Sequence, residues 1–111
     1  MPGMMPKVDW STTQRRALSA TEIVSGLAKL DGWTLQGEGA DLAIAKTFVF
    51  ANFHETMAFA NAVAFVAHAT DHHPTLHITY SRCQVAFNTH DVKGISSTDF
   101  ECASAVDALL A

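Results

Sequence analysis

Two kinds of apolar spacing alternate along the chain. "SATEIVSGLAKLDGW" sets Ile23, Leu27 and Leu30 on one helical face, and Ser19 with Glu22 makes a capping box at its start. Gly32 supplies a C-terminal stop for this predicted helix. In "WTLQGEGADLAIAKTFVF" the period falls to two, with Trp33 and Leu35 alternating with polar neighbours. The glycines of "GEGA" then provide a turn, and "LAIAKTFVF" follows as the second strand of a hairpin. A second helix is predicted over "ANFHETMAFANAVAFVAHATD", capped by Asn52 with Glu55 three residues on. Phe53, Met57, Ala60, Ala64 and Ala67 form one stripe on it, and Phe59, Val63 and Val66 a second. A helix this apolar is covered on two sides: one by a sheet, the other by a second subunit.

Pro74 closes that helix, because the residue before a proline is biased away from the α region. "LHITYSR" and "CQVAFNTH" alternate again. Their join near Arg82 and Cys83 has no turn residue, so they read either as one long strand or as a pair with a tight loop. "SSTDFECASAVDALL" is the last helix, capped at Ser96, Ser97 or Thr98, with Phe100, Ala103, Val106 and Leu110 facing inward. The order α-β-β-α-β-β-α predicts an α+β fold: one four-stranded antiparallel sheet with helices on one face. No internal repeat is evident, although β-β-α occurs twice and hints at pseudo-symmetry. Residues 1–18 are expected to be a flexible N-terminal segment and 19–111 the folded domain, since the first ten residues hold two prolines and no period.

Composition narrows this picture. A chain of 111 residues is one domain, and 49% apolar with 16% charged residues is the balance of a soluble globular protein. A net charge of -4 with scattered Lys and Arg argues against a nucleic-acid partner. Arg15, Arg16 and Lys29 near the first helix are too few for such a face and read as solvated. No apolar run approaches the ~20 residues that span a bilayer, so no membrane partner is expected. "MPGMMPKVDW" lacks the apolar core of a signal peptide, so a cytoplasmic location is expected. Cys83 and Cys102 have no metal-ligand spacing and read as reduced, buried thiols.

The chemistry concentrates in "HATDHHPTLHITY", which holds His68, His72, His73 and His77, with His90 a little beyond. One reading is a metal site, since His68 and His72 are four apart on one helical face if the helix continues that far, with His77 or His90 adding a third ligand. Against it, no HExxH pattern occurs and the nearest carboxylate, Asp71, lies on another face. A second reading is general acid–base catalysis. Imidazole, with a free pKa of about 6.5, gives and takes protons at neutral pH with little tuning. No nucleophile accompanies it, because there is no GxSxG elbow and neither cysteine adjoins a histidine. The plainest reading makes these surface or capping histidines, which suits His54 and His77.

"TDHHP", then Tyr80, then "NTHD" and "GISSTD" strongly resemble the pterin-4a-carbinolamine dehydratases, also called dimerisation cofactors of a homeodomain transcription factor. In that resemblance His68 fills the first position, His72, His73 and Pro74 the core, Tyr80 the aromatic, His90 the distant histidine and Asp99 the final aspartate. "GW" at 32–33 and "FVFANFHETMAFANAVA" extend it, so that it covers roughly residues 19–108. The resemblance implies dehydration of 4a-hydroxytetrahydrobiopterin to quinonoid dihydropterin, in the recycling of tetrahydrobiopterin, with no metal and no organic cofactor. It implies a pterin ring lying between the end of the long helix and the sheet. His72, His73 and His90 would be the catalytic residues. His73 and His90 are expected to be the acid–base pair, with His72 binding and orienting. Asp99, which would orient an imidazole or bind the pterin edge, is grouped with His68 and Leu76 as the substrate-binding residues. A homodimer or homotetramer through the long helix is also implied. The alternative function is a non-catalytic oligomeric binding module, or transcriptional coactivator, of the same fold. Tyr80 is expected to pack on its strand.

Two positions depart from the family's pattern: Leu76 stands where a Trp is usual, and Ile78 where an Asn is common. A leucine keeps apolar contact but loses the flat surface that lies against a ring.

Overall fold

The computed structural model describes residues 15–111, so the expected N-terminal segment lies mostly outside the described residues. Its last four residues are tied to the domain. The Leu18 amide donates to the Ile95 carbonyl at 2.8 Å, and Arg16 pairs with Glu22.

Helix α1 spans Ala20–Leu27 and opens with the expected capping box between Ser19 and Glu22. It stops short of Gly32: the chain leaves the helix at Ala28, and Gly32 instead takes a left-handed φ of +84° in the turn before β1 (Thr34–Gln36). Gly37, with φ +83°, and the 3-10 turn Gly39–Asp41 then return the chain into β2 (Ala43–Val49). Helix α2 covers Phe53–Thr70, with the Asn52 side chain accepting from the Glu55 amide at 2.9 Å. It ends before Pro74 acts on it. Asp71 adopts φ +50°, and the His72 amide turns back to the Ala67 carbonyl at 3.1 Å. Strands β3 (Thr75–Ile78) and β4 (Arg82–Phe87) form a hairpin, which settles the open question of one strand or two. Its turn, 79–81, falls before the junction at Arg82 and Cys83, and Thr79 N donates to Arg82 O across it. Helix α3 (Ser97–Ala108) is capped at Ser96.

The fold is the expected α+β arrangement: a four-stranded antiparallel sheet in the order β1-β2-β4-β3. Strand alternation gives the sheet two distinct faces. Ile44 and Phe48 of β2 and Cys83, Val85 and Phe87 of β4 are buried with Phe59, Ala60 and Val63 of α2 and Cys102, Ala103 and Val106 of α3. Gln84 and Ala86 of β4, paired with His77 and Thr75 of β3, lie on the opposite, open face. Central strand β4, cross-paired on both sides, therefore carries core and open-face positions on alternate residues.

Several expected inward positions point outward. On α2 the buried face is Thr56, Phe59, Ala60 and Val63, while Phe53 of the first predicted stripe is 49% exposed. Leu110 lies beyond α3 and is exposed, and Leu35 is also exposed on the short edge strand β1. Tyr80 sits in the β3–β4 turn at 65% exposure and does not pack on a strand. Among the described residues no helix is long and apolar enough to cross a membrane.

Candidate active site

Because α2 ends at Thr70, His72 and His73 lie on the link into β3 and not on the helix. His68 remains in the last turn of α2, so the helical i, i+4 relation to His72 assumed for a metal pair does not exist. Among the described residues no group of three His, Cys, Asp or Glu side chains is placed to hold a metal ion. The two adjacent histidines have different surroundings. His72 turns toward the core, where its ring stacks on Phe87 at 5.9 Å between centroids and 13° between planes. His73 is exposed at the rim.

Two hollows meet at this link. The first, about 400 Å³, lies between the end of α2 and β3 and is lined by His68, Asp71, His72, His73, Leu76 and neighbouring apolar residues of α2. The second, about 300 Å³, lies on the open face of the sheet. Ala43 and Ala86 line it beside His73, His77, His90, Asp41, Gln36, Gln84 and Asn88. His73 belongs to both. The small alanines leave the strands uncovered, so a flat ring can approach the sheet there. Gln84 Nε2 donates to Gln36 Oε1 at 3.1 Å, which links β4 to β1 across that face. Asn88 Nδ2 donates to the carbonyls of Leu42 and Ala40, at 2.6 and 3.0 Å, and so holds the 3-10 turn carrying Asp41 beside the segment carrying His90. Asn88 Oδ1 is buried with no protein partner among the described residues.

Asp99 lines neither hollow. It is fully buried in the first turn of α3, where Oδ1 meets His72 Nε2 at 2.6 Å. Its Oδ2 accepts from the Thr89 hydroxyl at 2.7 Å and from the Ser96 amide at 3.0 Å. In this arrangement Asp99 faces the His72 imidazole and lines neither space that a ligand could enter. The structure thus divides the expected residues: His73 and His90 line the open-face hollow, His68, His72, His73 and Leu76 line the first, and Asp99 lies buried against His72.

A family model described as pterin 4 alpha carbinolamine dehydratase matches residues 16–109. The chain belongs to that family. It is 63% identical over 108 residues to a protein of Paracidovorax citrulli that carries the name pterin-4-alpha-carbinolamine dehydratase, with 97% of this chain and 93% of that one covered. A protein of the same name from Bdellovibrio bacteriovorus is 51% identical, covering 85% of this chain and 78% of its own length. Among solved structures, the transcriptional coactivator/pterin dehydratase of Brucella melitensis superposes with a TM-score of 0.79 at 29% identity, over 86% of this chain and all of that one. A pterin dehydratase-like protein described as a RuBisCO assembly factor of the α-carboxysome shares the fold, with a TM-score of 0.60 at 23% identity over 72% of this chain and 90% of that one.

His77, expected as a surface or capping residue, is indeed exposed, and it also lines the open-face hollow with His73 and His90, a placement the sequence does not signal. Sequence reasoning missed the amides of Gln36, Gln84 and Asn88. The signal was present in the strand period. Gln84 and Asn88 alternate with buried Cys83, Val85 and Phe87, so they had to share one polar face.

Proposed function

We propose that the protein removes water from a 4a-hydroxytetrahydropterin, 4a-hydroxytetrahydrobiopterin being the expected substrate, and so serves tetrahydrobiopterin recycling in the cytoplasm. The observation that carries this reading is that His73 and His90, distant in sequence, line one hollow with an alanine floor. One imidazolium gives its proton to the departing 4a-hydroxyl, which leaves as water with the C4a–O electron pair. The other imidazole takes the N5 proton, and the N–H electrons close the C4a=N5 double bond of the quinonoid product. The two rings end in exchanged protonation states, and solvent restores them. His72 binds and orients from the adjoining hollow, which His68 and Leu76 also line. The residues that move protons in this scheme are all imidazoles, which suits turnover near neutral pH.

The assay is direct: freshly generated 4a-hydroxytetrahydropterin is followed to the quinonoid product with and without protein from pH 6 to 9. A rate above the spontaneous one supports the reading, and equal rates at every pH remove it.

A homodimer or homotetramer through α2 forms part of the proposal. Its support is the outer face of that helix, where Phe53 and Phe65 are 49% and 50% exposed. The same surface is what the second reading, a non-catalytic binding module or coactivator, would use. The buried His72–Asp99 pair favours catalysis, because an interaction surface gains nothing from an imidazole held inside the fold.

A further inference from the structure

Three donors converge on the Asp99 carboxylate: the Thr89 hydroxyl and the Ser96 amide on Oδ2, and His72 on Oδ1. Thr89 Oγ1 also lies 2.7 Å from Ser96 Oγ. A hydroxyl has one proton, and Thr89 gives its own to Asp99, so the Ser96 hydroxyl must be the donor to Thr89. The bonds therefore run in one direction, from Ser96 through Thr89 to the carboxylate. Thr89, Ser96 and Asp99 are all at most 1% exposed, so water does not compete for these positions.

This order makes Oδ2 an acceptor and leaves Oδ1 to face His72. A carboxylate offers only acceptors, and two acceptors do not rest 2.6 Å apart without a hydrogen between them. With Asp99 ionised, that hydrogen is on Nε2. Phe87 fixes the plane of the ring and Asp99 fixes one of its nitrogens, so the ring cannot turn over. In the neutral imidazole Nδ1 then keeps its lone pair, and among the described residues it has no hydrogen-bond partner.

We infer that Thr89, Ser96 and Asp99 act as positioning residues that lock His72 in the Nε2–H tautomer, and that Nδ1 is the nitrogen it presents to a ligand from the hollow between the end of α2 and β3, which His72 lines. Nδ1 accepts an N–H of the ligand when the ring is neutral. Its part in dehydration rests on the function proposed above, whereas the tautomer rests on the hydrogen bonds alone.

The test substitutes Asp99→Asn. Thr89 and Ser96 both donate at the Oδ2 position, so the asparagine carbonyl oxygen settles there and its NH2 group turns to His72. Nε2 becomes an acceptor and the ring hydrogen moves to Nδ1, the wrong tautomer for the site. Nitrogen-15 NMR of histidine-labelled protein near pH 8, where a free imidazole is neutral, reads this without any turnover. The expected spectra are Nε2–H for His72 in the wild type and in Thr89→Ser, and Nδ1–H in Asp99→Asn. Turnover in Asp99→Asn should fall on the order of 100-fold with a much smaller change in KM. A wild-type spectrum with hydrogen on Nδ1 overturns the inference, as does an Asp99→Asn spectrum that keeps it on Nε2. If Asp99→Asn does not fold, the wild-type spectrum decides alone. A protein with no dehydratase activity but the expected spectra would fail the proposed function and leave the tautomer standing.

Discussion

His72 Nε2 lies 2.6 Å from Asp99 Oδ1, and the two residues come from different elements: the link after α2 and the first turn of α3. The bond ties the link that carries His72 and His73 to helix α3. Asp99→Ala should therefore leave His72 Nε2 and the Ser96 amide without their carboxylate partner in the interior, and take one of the Thr89 hydroxyl's two hydrogen bonds. A loss of roughly 3 kcal/mol in stability is expected. Urea unfolding checks it, and a midpoint within experimental error of the wild type would contradict the network as drawn.

Gly37 lies between Gln36 and Asp41, two residues that line the open-face hollow. Its φ is +83°, and a Cβ there would lie 2.6 Å from the Asp41 carbonyl oxygen, which belongs to rigid backbone. Gly37→Ala should cost about 1–3 kcal/mol and displace the turn that carries Asp41. Thermal unfolding should show a lowered Tm. An unchanged Tm would mean the turn relaxes freely.

Both cysteines are free and fully buried, and burial pushes both thiols up from their ordinary range. A raised thiol carries less thiolate at any given pH. Alkylation of the native protein at pH 8 should therefore run at least about tenfold more slowly than in denaturant, for Cys83 and Cys102 alike. Mass spectrometry of the quenched samples reads both sites, and fast native labelling of either would contradict their placement.

His77 stands in the hollow without being needed as acid or base. If it contacts the ligand, His77→Phe should raise KM several-fold with kcat little changed, because binding common to ground and transition states is what it supplies. A drop in kcat at unaltered KM would place it among the proton-transferring residues.

The strand period revealed the sheet in advance, because Val85 and Phe87 against Gln84 and Asn88 admit only one way of facing the core. The motif also placed His72, His73, His90 and Asp99 in one neighbourhood. What sequence could not convey was their division. Adjacent histidines separate only because Asp71 adopts a left-handed conformation and ends α2, and no glycine or asparagine marks that residue. The same holds for the β3–β4 turn, whose residues 79–81 contain no glycine, proline or asparagine, so Tyr80 looked like a strand residue. On α2 nearly every position is apolar or small, so the sequence allowed two stripes, and only packing shows that Phe59 and Val63 are inside while Phe53 is outside. His77 stood in the sequence only as a surface residue or a third metal ligand, because a strand histidine's sequence neighbours do not reveal its cross-strand partners. They arrive through the β4 register, which sets His77 opposite Gln84.

The central claim is that His73 and His90 handle the protons of one ring in the open-face hollow. It is tested most directly by measuring dehydration of 4a-hydroxytetrahydropterin by wild type, His73→Ala and His90→Ala at pH 7.5, with circular dichroism confirming that each variant is folded. The account predicts catalysed rates lowered on the order of 100-fold or more in each variant. Undiminished rates in both would contradict it.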